Sequence, residues 1–315
     1  MAASLNGLPR TDLVAIVDLG SAAVRFLIAR IRPSARYDVL VEERVPTRLG
    51  SGAPGTLPAR AIARTLRAVH RFFRRYAPRG RGPRVVAIAT SAVRDAGNRE
   101  RLLDPLRRNE GIEVRILSAR DEARLGVAAA IESLSFSDAL VADLGGASLQ
   151  LSQVRSGRIV SMASLPLGAA RTTHQFLRHD PPNRQELRAF RDIIRERLRS
   201  ALPAAGRGEI LVGLGGTMRT LASVHLRATP GERKHRNGLV LHQSDVTAIR
   251  ERLEALSARR RRKIRGLKAE RADIILAGAM VVEEVMIFGG YLRLVICTRG
   301  VRDGLLFQEA SKRRR

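Results

Sequence analysis

The segment Ala139-Leu-Val-Ala-Asp-Leu-Gly-Gly-Ala-Ser-Leu-Gln-Leu-Ser152 decides the fold, because an earlier segment of the chain repeats its plan. The earlier copy is Leu13-Val-Ala-Ile-Val-Asp-Leu-Gly-Ser-Ala-Ala-Val-Arg-Phe-Leu-Ile28. Both copies read as an apolar strand, then Asp-Leu-Gly, then small residues and a second strand. Asp18 and Asp143 hold the same place in the two copies. The repeat predicts two lobes that face a shared cleft, each with one carboxylate and one glycine turn.

The two Asp-Leu-Gly turns have the composition of a metal-phosphate site. Glycine has no Cβ, so the backbone can come close to a ligand, and the N–H groups of such a turn can hold phosphate oxygens. An aspartate suits a hydrated magnesium ion that bridges carboxylate and phosphate. The alternative is an ordinary β-hairpin turn, in which Asp and Gly are favoured for conformational reasons alone. A third glycine loop, Gly213-Leu-Gly-Gly-Thr217 at a predicted strand-to-helix junction, favours the binding site.

Composition limits the class of partner. The 315 residues suffice for two domains, and the net charge of +27 indicates a polyanionic partner such as polyphosphate, a nucleotide or nucleic acid. The alternative is a GC-rich genome, because only four of the 57 basic residues are Lys. Aromatic residues make up only 3% of the chain and Trp is absent, which argues against a nucleic-acid binder built on stacked bases.

The sequence also predicts a cytoplasmic protein with no membrane partner. No uncharged apolar run reaches the roughly 18 residues that a membrane span needs. Residues 1–12 lack the apolar core of a signal peptide. The single Cys297 rules out a disulfide framework.

Along the first half, strands alternate with helices, and two side chains follow strand ends. The apolar strand 85–89 leads to Arg94, where a parallel sheet usually contacts its ligand; an isolated Arg is otherwise a solvated surface residue. Asn98 is expected to cap the next helix. Farther on, Ser118 and Asp121 predict a capping box, which places a glutamate in the first turn of another helix.

That glutamate is Glu122, and the helix dipole there favours the ionised carboxylate that a general base requires. The alternative is that acidic residues are common in helix first turns. In the second half, the spacing predicts helices over 183–198 and 269–288. The basic run 259–263 is expected either to hold a polyanion or to lie solvated at a helix end.

Taken together, the motifs resemble those of the exopolyphosphatase and guanosine pentaphosphate phosphatase family. In chain order they are Asp18-Leu-Gly-Ser21, Ala89-Thr-Ser-Ala-Val-Arg94, 118–125, Asp143-Leu-Gly-Gly-Ala-Ser148, Pro166-Leu-Gly-Ala-Ala-Arg171, 213–217, 271–278 and 300–306. The resemblance implies an α/β, two-lobed, duplicated ribonuclease H-like fold, as in actin, sugar kinases and chaperone ATPases, with the active site in the interlobe cleft. The first lobe would comprise 1–126 with 299–315, and the second 127–298.

The resemblance also implies the release of terminal phosphate from inorganic polyphosphate or guanosine pentaphosphate, with Mg²⁺ as cofactor. Glu122 would be the catalytic base, Arg94 would offset charge on the phosphoryl group, and Asp143 with Asp18 would place the magnesium. The expected phosphate-binding residues are Gly20, Ser21, Gly145, Gly146, Ala147, Ser148, Gly215, Gly216 and Thr217. Members of the superfamily often pair, so a homodimer is compatible with the resemblance.

Three departures from the family pattern bear on activity. Ala22 and Ala23 stand where the family's first glycine loop usually has Asn and Ser. Gln150 replaces the glutamate that usually ends the family's second glycine loop. An amide can neither take a proton nor bind magnesium with charge. These departures motivate an alternative function: a catalytically weakened regulatory protein that binds polyphosphate or an alarmone. Charge-driven nucleic-acid binding is a third, less favoured hypothesis.

Overall fold

The computed structural model describes residues 12–32, 37–76, 83–202, 210–229 and 235–312. The chain divides into two compact units. Unit 1 consists of Met1–Leu125 and Val301–Arg315, and unit 2 consists of Gly126–Gly300. The first boundary lies inside one helix, and the second directly precedes the last helix. The chain therefore leaves unit 1 once and returns to it.

Unit 1 is an α/β unit with one sheet. Its strands are β1 Leu13–Leu19, β2 Ala23–Ile31, β3 Tyr37–Pro46, β4 Arg84–Ala89 and β5 Val114–Ile116. Its helices are α1 Ala59–Tyr76, α2 Ser91–Arg94, α3 Glu100–Glu110, the start of α4 Ala119–Leu134, and α11 Val301–Lys312. The strand order is β3-β2-β1-β4-β5. The first three strands are antiparallel, while β4 runs parallel to β1 and β5 parallel to β4.

The central strand β1 is buried on both faces, which explains the apolar run 13–17 that precedes Asp18. Alternate side chains of a strand point to opposite faces. Leu13 and Val17 accordingly join the core under α1, which is dominated by Phe26 and Phe72. Val14 and Ile16 join a second core that contains Leu305, Leu306 and Ala310 of α11. Both faces of the sheet are thus covered by helices.

Unit 2 is built on a six-stranded sheet. Its strands are β6 Ala139–Leu144, β7 Leu149–Arg155, β8 Arg158–Leu165, β9 Ile210–Leu214, β10 Val240–His242 and β11 Arg293–Ile296. Its further helices are α5 Ala169–Phe176, α6 Arg184–Arg199, α7 Gly215–Ala228, α8 Gln243–Glu254, α9 Ala258–Arg261 and α10 Ile275–Gly289. The strand order is β10-β11-β9-β6-β7-β8.

The two sheets share one plan. β6, β7 and β8 form an antiparallel meander like β1, β2 and β3. β9 lies parallel beside β6 as β4 lies beside β1, and β11 lies parallel beside β9 as β5 lies beside β4. The duplicated α/β fold class that the repeated Asp-Leu-Gly segments predict is therefore confirmed at the level of strand topology.

Helix α10 is the central helix of unit 2 and packs against α5, α6, α7 and α8. This position explains why it is apolar on nearly every side. No helix in the described part of the chain is both long enough and apolar enough to cross a membrane. The helix begins at Ile275, after a 3-10 turn at Ala269–Arg271, so the single helix predicted over 269–288 is wrong in its first turns.

Helix α10 contains two buried carboxylates, which pair with arginines of neighbouring helices. Arg195 donates to both oxygens of Glu284, at 2.8 and 3.3 Å, and Arg191 Nε lies 3.0 Å from the same carboxylate. Arg250 Nε donates to Glu283 at 3.0 Å. The hydrogen bond that Arg195 donates to Glu284 raises the pKa of Arg195 above its ordinary value. Buried charges are tolerated when they are paired in this way, so the glutamates fit inside an apolar helix.

Asn98 does not cap α3, contrary to expectation. The residue before that helix is Arg99, which makes no side-chain cap. The Asn98 side chain instead accepts a hydrogen bond from Leu57 N at 2.9 Å and donates to Leu57 O at 2.9 Å. An amide can mimic the pairing of a backbone strand in this manner. Asn98 therefore fixes the segment that leads into α1.

The basic run 259–263 is only partly solvated. Its middle residue, Arg261, is buried, and its Nε donates to Leu253 O at 2.8 Å. Burial lowers the pKa of Arg261. The hypothesis of a polyanion site along the whole run does not fit this residue, because its guanidinium faces the interior of unit 2.

Candidate active site

In unit 1, Asp18 lies near the end of β1 with its carboxylate against arginines. Arg25 is its cross-strand partner on β2, and Arg25 Nη1 donates to Asp18 Oδ2 at 3.1 Å. Arg302 Nε of α11 lies 4.0 Å from the same oxygen. Directly opposite residues of an antiparallel pair share one face of the sheet. The register of β1 and β2 therefore imposes the ion pair, and the buried carboxylate is already compensated by positive charge.

The glycine turn after β1 is fixed through its carbonyl groups. Gly50 N donates to Ser21 O at 2.9 Å, and Arg48 N donates to Ala22 O at 3.1 Å. The Ser21 hydroxyl lies 3.3 Å from the Ser91 hydroxyl. These contacts hold the turn without using its N–H groups. The predicted phosphate-binding role of Gly20 and Ser21 is compatible with this arrangement.

Arg94 and Glu122 meet where β4 and β5 end. These strands are parallel, and Leu117 N donates to Ala89 O at 2.9 Å, so their carboxyl ends lie together. Arg94 Nη1 donates to Leu117 O at 2.8 Å and lies 3.4 Å from Glu122 Oε2. The side chains are 24% and 15% exposed, respectively. The structure thus brings two of the three predicted catalytic residues into one partly buried ion pair.

The start of α4 places Glu122. Ser118 Oγ accepts a hydrogen bond from Asp121 N at 3.0 Å, as an N-cap serine should, and donates to Asp121 Oδ2 at 2.9 Å. The predicted serine cap is confirmed. In a capping box the carboxylate would accept from the Ser118 N–H, whereas here the Asp121 carboxylate accepts from the Ser118 hydroxyl. Glu122 follows in the first helical turn, where the helix dipole stabilises negative charge.

In unit 2, the turn after β6 is held by the N-terminus of α5. Ala169 N donates to Gly145 O at 3.0 Å, and Ala170 N donates to Gly146 O at 2.9 Å. A Cβ on Gly168 would lie 2.1 Å from the carbonyl carbon of Ala147. Only glycine therefore allows α5 to approach the turn so closely.

One of the predicted phosphate contacts does not fit this turn. Gly145 N donates to Ser148 O at 3.0 Å, so the Gly145 N–H is used inside the turn. For Gly146, Ala147 and Ser148 the phosphate-binding role stays a prediction. The sequence could not reveal the use of the Gly145 N–H, because the hydrogen bond depends on how the turn closes.

The third glycine loop lies beside Asp143. β6 and β9 are parallel neighbours, and Gly215 follows β9 with φ +96. A Cβ on Gly215 would lie 2.4 Å from Leu144 O and 2.9 Å from Asp143 Oδ1. Gly215 opens α7, so the positive end of the helix dipole lies at the same place. The structure therefore joins the predicted Asp143 with the third loop in unit 2.

Arg271 belongs to the same cluster and was not predicted as a site residue. Its Nη2 donates to Thr217 Oγ1 at 3.3 Å. A Cβ on Gly216 would lie 2.4 Å from Arg271 Nη1, so the guanidinium rests directly on the loop. The sequence offers one signal, the second glycine of the pair, which leaves room for this contact.

Gln150 is the cross-strand partner of Asp143 on β7. The two side chains therefore share one face of the sheet. Gln150 is 4% exposed, and its Oε1 has no hydrogen-bond partner among the described residues. A buried acceptor without a donor is costly, so a ligand that brings donors to Asp143 would also satisfy Gln150.

The sequence profile of the Ppx/GppA phosphatase family matches residues 27–313. The chain belongs to this family. Exopolyphosphatase 1 of Mycobacterium leprae is 28% identical over 301 residues, which cover 93% of this chain and 88% of the relative. Exopolyphosphatase 2 of Mycobacterium tuberculosis is 32% identical over 299 residues, which cover 86% and 89%.

A solved structure of the Ppx/GppA family member from Aquifex aeolicus matches the fold. It superimposes with a TM-score of 0.81 at 27% identity, covering 96% of this chain and 99% of that one. The predicted family and fold class are therefore confirmed.

In this member of the Ppx/GppA family, the surroundings of Asp143 fit magnesium and those of Asp18 do not. Magnesium is usually held by one or two carboxylates together with water and substrate phosphates. Among the described residues, no three His, Cys, Asp or Glu side chains gather as a metal site. Asp143, with the amide oxygen of Gln150 beside it, fits such a sparse site. Asp18 does not fit, because Arg25 already compensates its carboxylate.

Proposed function

We propose that this protein hydrolyses the terminal phosphoanhydride bond of inorganic polyphosphate and releases phosphate. The observation that carries the proposal is the ion pair of Arg94 with Glu122 at the ends of β4 and β5. A carboxylate fixed beside a guanidinium provides a base for water and a positive charge for a phosphoryl group. The similarity to two mycobacterial exopolyphosphatases supports the choice of polyphosphate.

Glu122 orients a water molecule and takes its proton as the oxygen attacks the terminal phosphorus. The bond to the bridging oxygen breaks, and that oxygen leaves with the shortened chain. Arg94 offsets negative charge on the transferred group. Phosphoryl transfer depends mainly on such positioning and charge stabilisation. The mechanism assigns both of these side chains to unit 1.

Unit 2 supplies phosphate-binding groups in this proposal. The N–H groups of Gly146, Ala147 and Ser148 hold phosphate oxygens, as do those at the start of α7. Asp143 would hold magnesium, which when bound neutralises phosphate charge. Arg271, resting on Gly216, adds a guanidinium to the same cluster.

Guanosine pentaphosphate is the second proposed substrate, because it ends in the same phosphoanhydride bond. We place it after polyphosphate, since aromatic residues make up only 3% of the chain and few could stack on a guanine. The alternative, a regulatory protein that binds these anions without cleaving them, is motivated by the uncharged Gln150 beside Asp143.

A phosphate-release assay tests the proposal. The wild-type protein and Glu122→Gln are each given polyphosphate or guanosine pentaphosphate, with Mg²⁺ or with a chelator. We expect release from polyphosphate that requires Mg²⁺ and is lost in the variant. Binding of polyphosphate without any release by the wild-type protein would establish the regulatory alternative instead.

A further inference from the structure

Helix α1 carries a row of exposed arginines along one face. We call this set the α1 arginine row; its members are Arg60, Arg64, Arg67, Arg71 and Arg74. Their spacing of four and three residues keeps them on one side of the helix. The opposite side buries Ile62, Val69 and Phe73 in the core of unit 1. At 1.5 Å per residue, the row extends for about 21 Å.

The positive charge of this row is not compensated locally. Helix α1 contains no acidic residue. Two carboxylates from neighbouring elements reach it, but Glu110 pairs with His70 and Glu43 lies near Arg75. In the described ranges, no carboxylate forms an ion pair with a member of the row. The only other polar contact of the row there is Arg64 Nη1 with Pro46 O, at 3.5 Å.

Two other arginine-rich helices, α3 and α6, differ in this respect. In α3, Asp104 lies within 3.5 Å of both Arg107 and Arg108. Helix α6 intersperses three acidic residues among its arginines, and two of those arginines pair with Glu284. A uniform excess of arginine would be expected to leave acids in a helix of 18 residues such as α1, as it does in the 16 residues of α6. The row therefore marks a surface suited to a polyanion.

The row begins close to the glycine turn of unit 1. Gly50, in the segment before α1, donates to Ser21 O at 2.9 Å. Leu57, two residues before α1, is held by both polar atoms of the Asn98 amide. The segment before the row is thus bonded at Gly50 to the turn for which a phosphate-binding role is expected, and at Leu57 to Asn98.

We propose that the α1 arginine row is a second binding site for long-chain polyphosphate, which holds phosphates far from the hydrolysed end. The proposal rests on polyphosphate being the substrate. A linear row of guanidinium groups matches a linear chain of phosphates, because each guanidinium can donate two hydrogen bonds to one phosphate. Single-stranded RNA is disfavoured, since Phe72 and Phe73 are buried and offer no surface on which bases could stack.

Three proteins test the proposal: the wild type, the row variant Arg60→Gln/Arg67→Gln/Arg74→Gln, and the control variant Arg184→Gln/Arg188→Gln/Arg199→Gln. The control removes the same charge from exposed arginines of α6. Glutamine has a helix propensity similar to that of arginine, so both helices should persist. The binding of fluorescently labelled long-chain polyphosphate is measured by anisotropy with a chelator present, across a series of salt concentrations.

We expect the row variant to bind long-chain polyphosphate at least about tenfold more weakly. The slope of log K against the logarithm of the salt concentration should also be smaller by about 2, because each lost contact with a single strand removes ~0.7 from it. The control should bind like the wild type. In the presence of Mg²⁺, the row variant should show a higher KM for long chains and an unchanged kcat/KM for tripolyphosphate. Because binding is measured without hydrolysis, a wild-type protein that releases no phosphate would refute the proposed activity and leave the comparison of binding intact.

An equal loss of binding in the control would overturn the proposal, because net charge would then explain it. A parallel fall in tripolyphosphate hydrolysis by the row variant would overturn it too, since the row would not be separate from the site of cleavage. The proposal would also be overturned if single-stranded RNA displaced the labelled polyphosphate at a lower concentration than unlabelled polyphosphate does. That result would identify a nucleic-acid site.

Discussion

Arg94 Nη1 donates to the Leu117 carbonyl at 2.8 Å and lies 3.4 Å from Glu122 Oε2. One guanidinium nitrogen therefore connects the residue after β5 to the first turn of α4. Neither partner is close to Arg94 in sequence, so the parallel pairing of β4 and β5 is what brings the three groups together. The contact restrains the carboxylate on which the proposed hydrolysis depends.

Glu122→Gln should remove the proposed base while keeping the size of the side chain. We expect kcat for polyphosphate to fall by about 10² to 10⁴, the usual contribution of general acid-base catalysis, with KM nearly unchanged. Steady-state phosphate release measures both constants. Glu113→Gln is the matched control, because Glu113 is 78% exposed and pairs with Arg107. If Glu122→Gln retains the control's kcat, Glu122 is not the base.

Arg94→Lys should reduce turnover although the charge is kept. A lysine ammonium cannot reproduce the guanidinium geometry, in which Nη1 contacts Leu117 O and Glu122 while Nε lies 3.4 Å from Asp95. A lost hydrogen bond to a charged group costs about 1.5 to 3 kcal/mol, which predicts a kcat lower by about 10- to 150-fold. Arg99→Lys serves as the control, since that exposed side chain contacts only Arg94 O and Glu100 in the described ranges. Equal kcat values for the two variants would contradict the role of Arg94.

Gln150→Glu should strengthen metal binding beside Asp143. Unit charges about 4 Å apart interact by about 1 to 4 kcal/mol, so we expect Mg²⁺ or Mn²⁺ to bind about tenfold more tightly or better. Titration calorimetry measures this directly, without reference to activity. In the absence of metal, the variant should unfold at lower temperature, because like charges lie opposite each other on β6 and β7.

The control for that substitution is Gln153→Glu on the same strand. Gln153 is three positions along β7, so its side chain points to the other face of the sheet, where it accepts a hydrogen bond from Ser161. An equal gain of metal affinity in both variants would show that general charge, and not the place beside Asp143, is responsible.

The sequence predicted the duplicated strands and the glycine turns because their signals are local. Apolar alternation and glycine position depend only on neighbouring residues. Contacts between distant segments were predicted less well. Asn98 has the right residue type for a helix cap, yet it pairs with Leu57. Arg261 lies in a run of charge, yet it is buried. Arg271 contacts Gly216, 55 residues earlier; the glycine pair shows that there is room for a neighbour, but no local pattern identifies Arg271 as that neighbour.

Gly168→Ala should loosen the turn after β6, for which phosphate binding is proposed. The added Cβ would lie 2.1 Å from Ala147 C and 2.3 Å from Ser148 N, which are backbone atoms with little freedom to move. We expect a loss of about 1 to 3 kcal/mol in the free energy of unfolding, typical of overpacking, and a raised KM for polyphosphate. Gly300→Ala is the control, because its Cβ would have no neighbour within 4 Å. Identical urea midpoints for the two variants would contradict the close packing of Gly168.

Glu284→Gln should destabilise unit 2 without altering the chemistry of hydrolysis. Glu284 is 1% exposed, and the change would leave Arg191 and Arg195 without their shared carboxylate. Breaking a fully buried pair costs about 3 to 5 kcal/mol. We expect about 2 to 3 kcal/mol here, because the Arg195 side chain is 42% exposed and can be solvated in part. Thermal and urea unfolding measure the loss, and phosphate release well below the melting transition should match the wild type. The control is Glu196→Gln, an exposed carboxylate on α6. A Glu284→Gln protein as stable as this control would show that the buried charges of α10 can be removed without cost.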